Sequence, residues 1–383
     1  MKLKHFFSGL AFFWVFGTQA QTIQGVPQTK EPLGIAFALP FRTDKMDFID
    51  PALGQKILEA RNDTKSSLSF YSGALIAIER LDSMGIQVKP HPVDTQLNGA
   101  IALAELEAVH RINDIDFLIG PLSDRVLPPL SQWSLQQKKP IFLPSIADAQ
   151  QVHPYLIQGI AKNETLRRQL LDYAKKEWLG QKVTVVHDGE ALNQAQNIAQ
   201  RFPGAQKLDA TAQSNRLLEA LTERMDTLNT NWVFVETANL KTASSVASIL
   251  SAQLRYPGHI KLWSPLYNNA FDNDVLDFKQ LSDLNYTTSA VQEPLTHVAW
   301  SGIYQVKWGK YPDKIAVRGY DSVMFAVAQL MGLGLASAEG KSFFKWAGTT
   351  HPFDMAHDPK GHLVNQGYVL ISLKDMEWQV IRP

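Results

Sequence analysis

Short apolar runs alternate with helix-length amphipathic stretches along this sequence, and that alternation constrains the fold more than any other feature. The first run, Leu33-Gly34-Ile35-Ala36-Phe37-Ala38-Leu39, is hydrophobic throughout and stops at Pro40. A strand covered on both faces has that character, because each face must meet apolar neighbours. Helical spacing follows at Phe70, Ala74, Leu75, Ile78, Leu81 and Met84, with Gly85 where a helix C-cap belongs. Further strand-like runs stand at 116–119, 140–143, 182–187, 232–235 and 260–263. Helix-length segments, including 100–111, 164–178, 215–228 and 240–254, separate them. Strands joined in this way lie parallel, since a parallel connection needs a crossover of a dozen or more residues. The expected fold class is α/β.

Two regions depart from the rhythm. Residues 42–68 are polar and lack clear periodicity, so they read as a long excursion between the first strand and its helix. In an open α/β sheet that position lies at the carboxyl end of a strand, where ligands bind; a mobile surface insertion is the equal alternative. The last third carries helical patterns at 295–308 and 317–335, then alternating runs at 367–373 and 377–381 that suggest an antiparallel hairpin.

The N-terminus is a targeting segment. Lys2, Lys4 and His5 precede an apolar run from Phe6 to Phe16, and Thr18-Gln19-Ala20 supplies the small residues that a signal peptidase reads. Residues 1–20 are expected to be a signal peptide removed before Gln21, giving an exported chain; an uncleaved membrane anchor is the other reading. No later stretch approaches eighteen uninterrupted apolar residues. Lys and Arg number 37 against 37 Asp and Glu, without a long basic run. Nucleic acid is therefore not an expected partner, because neutralising phosphates needs a concentrated positive surface. The absence of cysteine excludes disulfides, thiolate zinc sites and a Cys nucleophile.

Catalytic signals are weak. The stretch from Gly334 to Ser342 resembles a phosphate-binding loop but has one residue too many between its glycines and follows a helix. His351, His357, Asp358 and His362 offer imidazole and carboxylate, yet their spacing fits no zinc pattern, and Asp358-Pro359-Lys360-Gly361 is turn chemistry. Asp272-Asn273-Asp274 lacks the ligand and glycine that should follow in a calcium loop, and no Gly-x-Ser-x-Gly elbow occurs. The expectation is a protein that is not an enzyme and holds no cofactor or metal.

Several local patterns, in order, resemble a known family. The run from Leu33 to Phe41 followed by Phe70-Tyr71-Ser72-Gly73-Ala74 is similar to the opening of type I periplasmic binding proteins, the branched-chain amino-acid receptor group. Asp116-Phe117-Leu118-Ile119-Gly120-Pro121-Leu122-Ser123 resembles that family's third strand and loop. Pro140-Ile141-Phe142-Leu143-Pro144-Ser145 resembles the fourth, and Gly319-Tyr320-Asp321 the opening of a late helix. The opening motifs are closest to a subgroup often linked to LysM modules; no such module is expected here, since little chain precedes Leu33. The resemblance implies two doubly wound lobes joined by three crossovers, with lobe one at 31–158 and 289–336 and lobe two at 159–288 and 337–383. It also implies a periplasmic location.

Family receptors for amino acids hold the ligand with hydroxyls and backbone amides after the third and fourth strands, and by position Ser123 and Ser145 keep those hydroxyls. Two residues beyond Ser145 the family has Ser or Thr, whereas this chain has Ala147 followed by Asp148. After 260–263 the family supplies a carboxylate for the ammonium, whereas this chain has Ser264-Pro265-Leu266-Tyr267. A buried ammonium left unpaired is costly, which weighs against a free amino acid unless Asp148 or Glu236 substitutes. The implied ligand-binding set is Ser123, Ser145, Asp148, Glu236, Asn239 and Tyr267. In it the serines donate, Asp148 and Glu236 accept, and Tyr267 covers an apolar part. Ser145 equally suits a helix N-cap and Tyr267 simple packing. Two functions remain open. One is a solute receptor for a small polar ligand (amino acid, peptide or cell-wall fragment), with an ABC-transporter permease as partner. The other is an envelope scaffold or regulator that binds a protein or cell-wall partner.

Overall fold

The computed structural model describes residues 31–145, 152–265, 276–295, 298–333, 349–359 and 361–381. The chain opens with strand β1 (Leu33–Leu39), helices α1 (Pro51–Ala60) and α2 (Asn62–Ser83), and β2 (Val88–Asp94). It continues through α3 (Gly99–Asn113), β3 (Phe117–Ile119), α4 (Leu127–Gln137), β4 (Ile141–Leu143) and β5 (Leu156–Gln158). A second series begins with α5 (Asn163–Glu177), β6 (Lys182–His187), α6 (Leu192–Arg201), β7 (Gln206–Asp209) and α7 (Leu217–Thr222). It ends with β8 (Asn231–Glu236), α8 (Leu240–Ala252), β9 (Ile260–Ser264), α9 (Phe278–Asp283) and β10 (Thr287–Ala290). The last third supplies α10 (Ser301–Trp308), α11 (Lys314–Leu330), β11 (Met355–His357), β12 (Leu363–Asn365), β13 (Val369–Lys374) and β14 (Glu377–Ile381).

These strands build two seven-stranded sheets of equivalent order, β11-β12-β5-β4-β3-β1-β2 and β14-β13-β10-β9-β8-β6-β7. Each of the first five strands of a series is parallel to its neighbour, and β13 and β14 form the expected antiparallel hairpin. The chain crosses between sheets after β5, after β10 and after β12. This is an α/β protein of two doubly wound lobes. The alternation of side chains along β1 explains its unbroken hydrophobicity: Ile35, Phe37 and Leu39 enter one core and Ala36 and Ala38 the opposite one. The same division on β8 sends Val233 and Val235 to one face and Trp232 and Phe234 to the other.

Helices α2 and α11 cross with almost no space between their backbones. A Cβ added to Gly73 would lie 1.8 Å from the Ala316 carbonyl oxygen, and one added to Gly319 would lie 1.9 Å from that of Phe70. The two glycines thus let α11, which follows the second crossing, return to the core of the first lobe.

Three expectations need correction. Residues 42–68 are not an irregular excursion but contain all of α1 and the start of α2. Asp50 caps α1 by accepting from the Ala52 and Leu53 amides at 2.9 and 3.1 Å, and Pro51 fits its first turn. The helix expected at 215–228 is confined to the short α7. The segment 337–383 does not belong wholly with the second lobe, because β11 and β12 join the first sheet. Leu363 and Val364 pair with Ile157 and Gln158, and the Asn365 amide donates to the Gly159 and Pro352 carbonyls at 3.0 Å each. Three-residue strands carry no usable periodicity, so nothing in the sequence pattern separates them from the loops around them. The phosphate-loop-like stretch 334–342 and the Asp272–Asp274 patch lie outside the described residues.

Candidate functional site

All three crossings leave or enter at the carboxyl ends of parallel strands, so those ends in both sheets look toward the junction of the lobes. In the first lobe the edge is formed after β1, β2, β3 and β4. Asp94, ending β2, fastens the loop after β1 by accepting from the Arg42 and Thr43 amides at 3.0 and 2.8 Å and from Thr43 Oγ1 at 2.7 Å. Ser123, after β3, is half-buried and opens a short 3-10 turn without a side-chain capping bond. Ser145, after β4, has its hydroxyl sealed from solvent and without a hydrogen-bond partner, while its carbonyl accepts from Gln158 Nε2 at 2.7 Å.

The second lobe treats its predicted residues differently. Glu236 ends β8 and is 2% exposed. Arg167 of α5 donates to both of its oxygens, through Nη2 to Oε1 and through Nε to Oε2 at 3.4 Å. Burial pushes the Glu236 carboxyl above its ordinary value; Arg167 opposes that and neighbouring Asp188 adds to it. Glu236 is expected to accept from a ligand, and Arg167 takes one acceptor site on each of its oxygens. Asn239 Oδ1 caps α8 by accepting from the Lys241 and Thr242 amides at 2.9 and 3.3 Å. Beside them Thr237 Oγ1 donates to Asp188 Oδ2 at 2.6 Å, and Asp188 Oδ1 accepts from the Ala191 amide at 3.1 Å. Asp148 and Tyr267 lie outside the described residues.

The structure therefore places Ser123 and Ser145 on neighbouring strand ends of one lobe, and Glu236 and Asn239 on one loop of the other. Sequence reasoning missed Arg167, whose partner lies 69 residues away. Only its position one turn into a helix that starts at a crossing hints at a role.

A second buried group ties the crossings together. Asp321 of α11, 2% exposed, accepts from the Thr350 amide at 3.3 Å and from Thr350 Oγ1 at 3.1 Å. Burial raises the Asp321 carboxyl to about 7, with the Thr350 and His351 donors opposing. His351 Nε2 meets the Gly159 carbonyl at 3.2 Å, and burial lowers this imidazole to about 3. The Glu293 amide donates to the Thr350 carbonyl at 3.2 Å. The residues after β5 and after β10 are thus both hydrogen-bonded to the 350–351 segment that precedes β11. Of the other members of the histidine set, His357 Nδ1 meets the Gly361 carbonyl at 3.3 Å, and the His362 amide donates to Asp358 at 3.2 Å. No group of three potential metal ligands occurs among the described residues.

Solved structures share this architecture. A candidate branched-chain amino-acid ABC transporter protein from Rhodospirillum rubrum aligns over 92% of this chain and 100% of its own, at TM-score 0.62 and 12% identity. An ABC transporter substrate-binding protein from Desulfitobacterium hafniense in complex with Leu aligns over 92% and 100%, at TM-score 0.54 and 15% identity. An ABC-type branched-chain amino-acid transporter protein from Rhodopseudomonas palustris aligns over 91% and 95%, at TM-score 0.53 and 14% identity. The fold is that of the type I periplasmic binding proteins. No protein-family model matches the sequence, and no curated protein does.

Proposed function

We propose that this chain is an exported solute-binding receptor whose two lobes close on a small polar ligand, serving an ABC-transporter permease. The observation that carries the reading is the sealed, unpartnered Ser145 hydroxyl at a strand end facing the lobe junction. A buried polar group without a partner costs stability, and a ligand that completes its bonding is a reason to retain it. The D. hafniense relative in complex with Leu supports the placement of a ligand in this fold. The moving units are 31–158 with 289–336, to which 355–365 is added, and 159–288 with the remainder of the C-terminal segment. No described helix is long and apolar enough to cross a membrane. The reading assigns the chain no reaction, and it places the mature protein in the periplasm after cleavage before Gln21.

A thermal-shift screen over amino acids, short peptides and sugars tests the proposal. A ligand present at a hundred times its dissociation constant adds about 2.7 kcal/mol and raises the melting temperature. Silence across the screen, together with a protein partner retained through purification, would instead favour the scaffold.

A further inference from the structure

We infer that the ligand is recognised through a neutral amide, hydrogen-bonded by the Gln292 carboxamide and the Ser145 hydroxyl; this inference rests on the receptor reading. Gln292 is 7% exposed, and both its Oε1 and its Nε2 are sealed from solvent without a hydrogen-bond partner. A carboxamide buried with both ends unsatisfied is rare, because folding has removed its water and supplied nothing in return. Gln292 stands two residues beyond Ala290, the carboxyl end of β10, just as Ser145 stands two beyond Leu143, the end of β4.

A run of hydrogen bonds places the two in one region. Gln158 Nε2 donates to the Ser145 carbonyl, the Gly159 carbonyl meets His351 Nε2, and the Thr350 carbonyl accepts from the Glu293 amide. Each step passes through adjacent residues, so Ser145 and Gln292 terminate a single network at the lobe junction. Three acids beside these edges have partners: Glu236 has Arg167, Asp188 has Thr237 and the Ala191 amide, and Asp321 has Thr350. The unsatisfied groups of Ser145 and Gln292 are neutral. A carboxamide carries an acceptor beside two donors, so it forms paired hydrogen bonds with another amide, to which a serine hydroxyl adds a third. The shared chemistry is a secondary amide, present in a peptide bond and in an N-acetylated sugar.

The test uses the mature protein, Gln292→Met and Ser145→Ala, with acetyl-alanyl-alanine amide, N-acetylglucosamine, leucine and sodium acetate as probes. Calorimetric titration is expected to show binding of one of the two amides, and its identity distinguishes peptide from sugar. Gln292→Met should weaken that binding at least tenfold while raising the melting temperature of the unliganded protein, since it deletes a buried group with no partner. Ser145→Ala should act in the same two directions. Binding of leucine or acetate with neither amide overturns the inference and leaves the receptor reading standing. A lower unliganded melting temperature with unchanged affinity in Gln292→Met also overturns it. Silence from all four probes overturns the inference, and the wider thermal-shift screen then decides the receptor reading.

Discussion

Replacing Arg167 by Met removes the guanidinium that faces Glu236 while keeping most of the aliphatic stem. Glu236 is 2% exposed and would be left as a buried carboxylate without its cation. Breaking a buried pair in this way costs about 3–5 kcal/mol. The Arg167 side chain is 21% exposed, so water reaches the vacated site and places the cost near the lower end, about 3 kcal/mol at pH 8. The pH dependence follows from the direction of the shift. Burial already raises the Glu236 carboxyl, and loss of Arg167 removes the influence opposing that rise. A carboxyl raised in the folded state contributes stability that is complete below its unfolded value and is lost as pH climbs through its folded value. The deficit of Arg167→Met is therefore largest at pH 8 and should fall by more than half at pH 5. Adding Glu236→Gln removes the charge and should recover about 2 kcal/mol, a coupling of the size found between directly contacting residues. Urea unfolding followed by tryptophan fluorescence reads this lobe, because Trp232 and Trp263 lie 4.8 Å apart between ring centroids in its sheet. A cost below about 1 kcal/mol that ignores pH, or a double variant no more stable than the single one, would refute the pairing as the reason Glu236 is buried.

Three further predictions concern the frame that holds the site. Gly319→Ala and Gly73→Ala should each destabilise the first lobe although Ala is the better helix former by about 1 kcal/mol, because the added Cβ meets backbone and overpacking costs about 1–3 kcal/mol or more; equal or higher urea midpoints would contradict the close crossing. Asp321 is raised from its ordinary value of 3.8 to about 7, so its contribution to stability is complete below about pH 4 and is lost as pH rises to about 7, where the folded protein ionises as well. Asp321→Asn should accordingly lose this downward contribution to the melting temperature between about pH 4 and 7 relative to the parent protein, and an unchanged slope there would count against the assignment. Asn239→Ala should lose about 1 kcal/mol, as removal of an N-cap does; unchanged ligand affinity would limit Asn239 to capping, and a selective loss of affinity would support its place in the binding set.

The parts of the fold visible in the sequence are those where one element carries its own signal. The runs at 33–39, 182–187, 232–235 and 260–263 match β1, β6, β8 and β9 because central parallel strands are apolar on both faces. Strands β5, β11 and β12 are three residues each and are defined by the partners they meet, so no local pattern betrays them. Helix α1 escaped because most of its face is exposed, leaving Asp50-Pro51 as its only clear cue. The site divides on the same principle. Ser123 and Ser145 follow strands in a recognisable order, whereas Asn239 is ambiguous in sequence because a cap and a ligand donor are the same residue type in the same place. Arg167 has its partner 69 residues away, and the burial of the Gln292 carboxamide is set by tertiary packing, neither of which a single sequence displays.

Closure of the lobes around a ligand is the central claim, and the cysteine-free chain allows it to be measured without background labelling. Ile49 is 96% exposed in the loop leading into α1, and Leu192 is 41% exposed at the start of α6, so cysteines placed there carry one dye on each lobe. With Ile49→Cys and Leu192→Cys both labelled, energy transfer should change saturably as the ligand found in the thermal-shift screen is added, with the midpoint at its dissociation constant. A ligand that binds stoichiometrically and leaves the energy transfer unchanged would contradict the account.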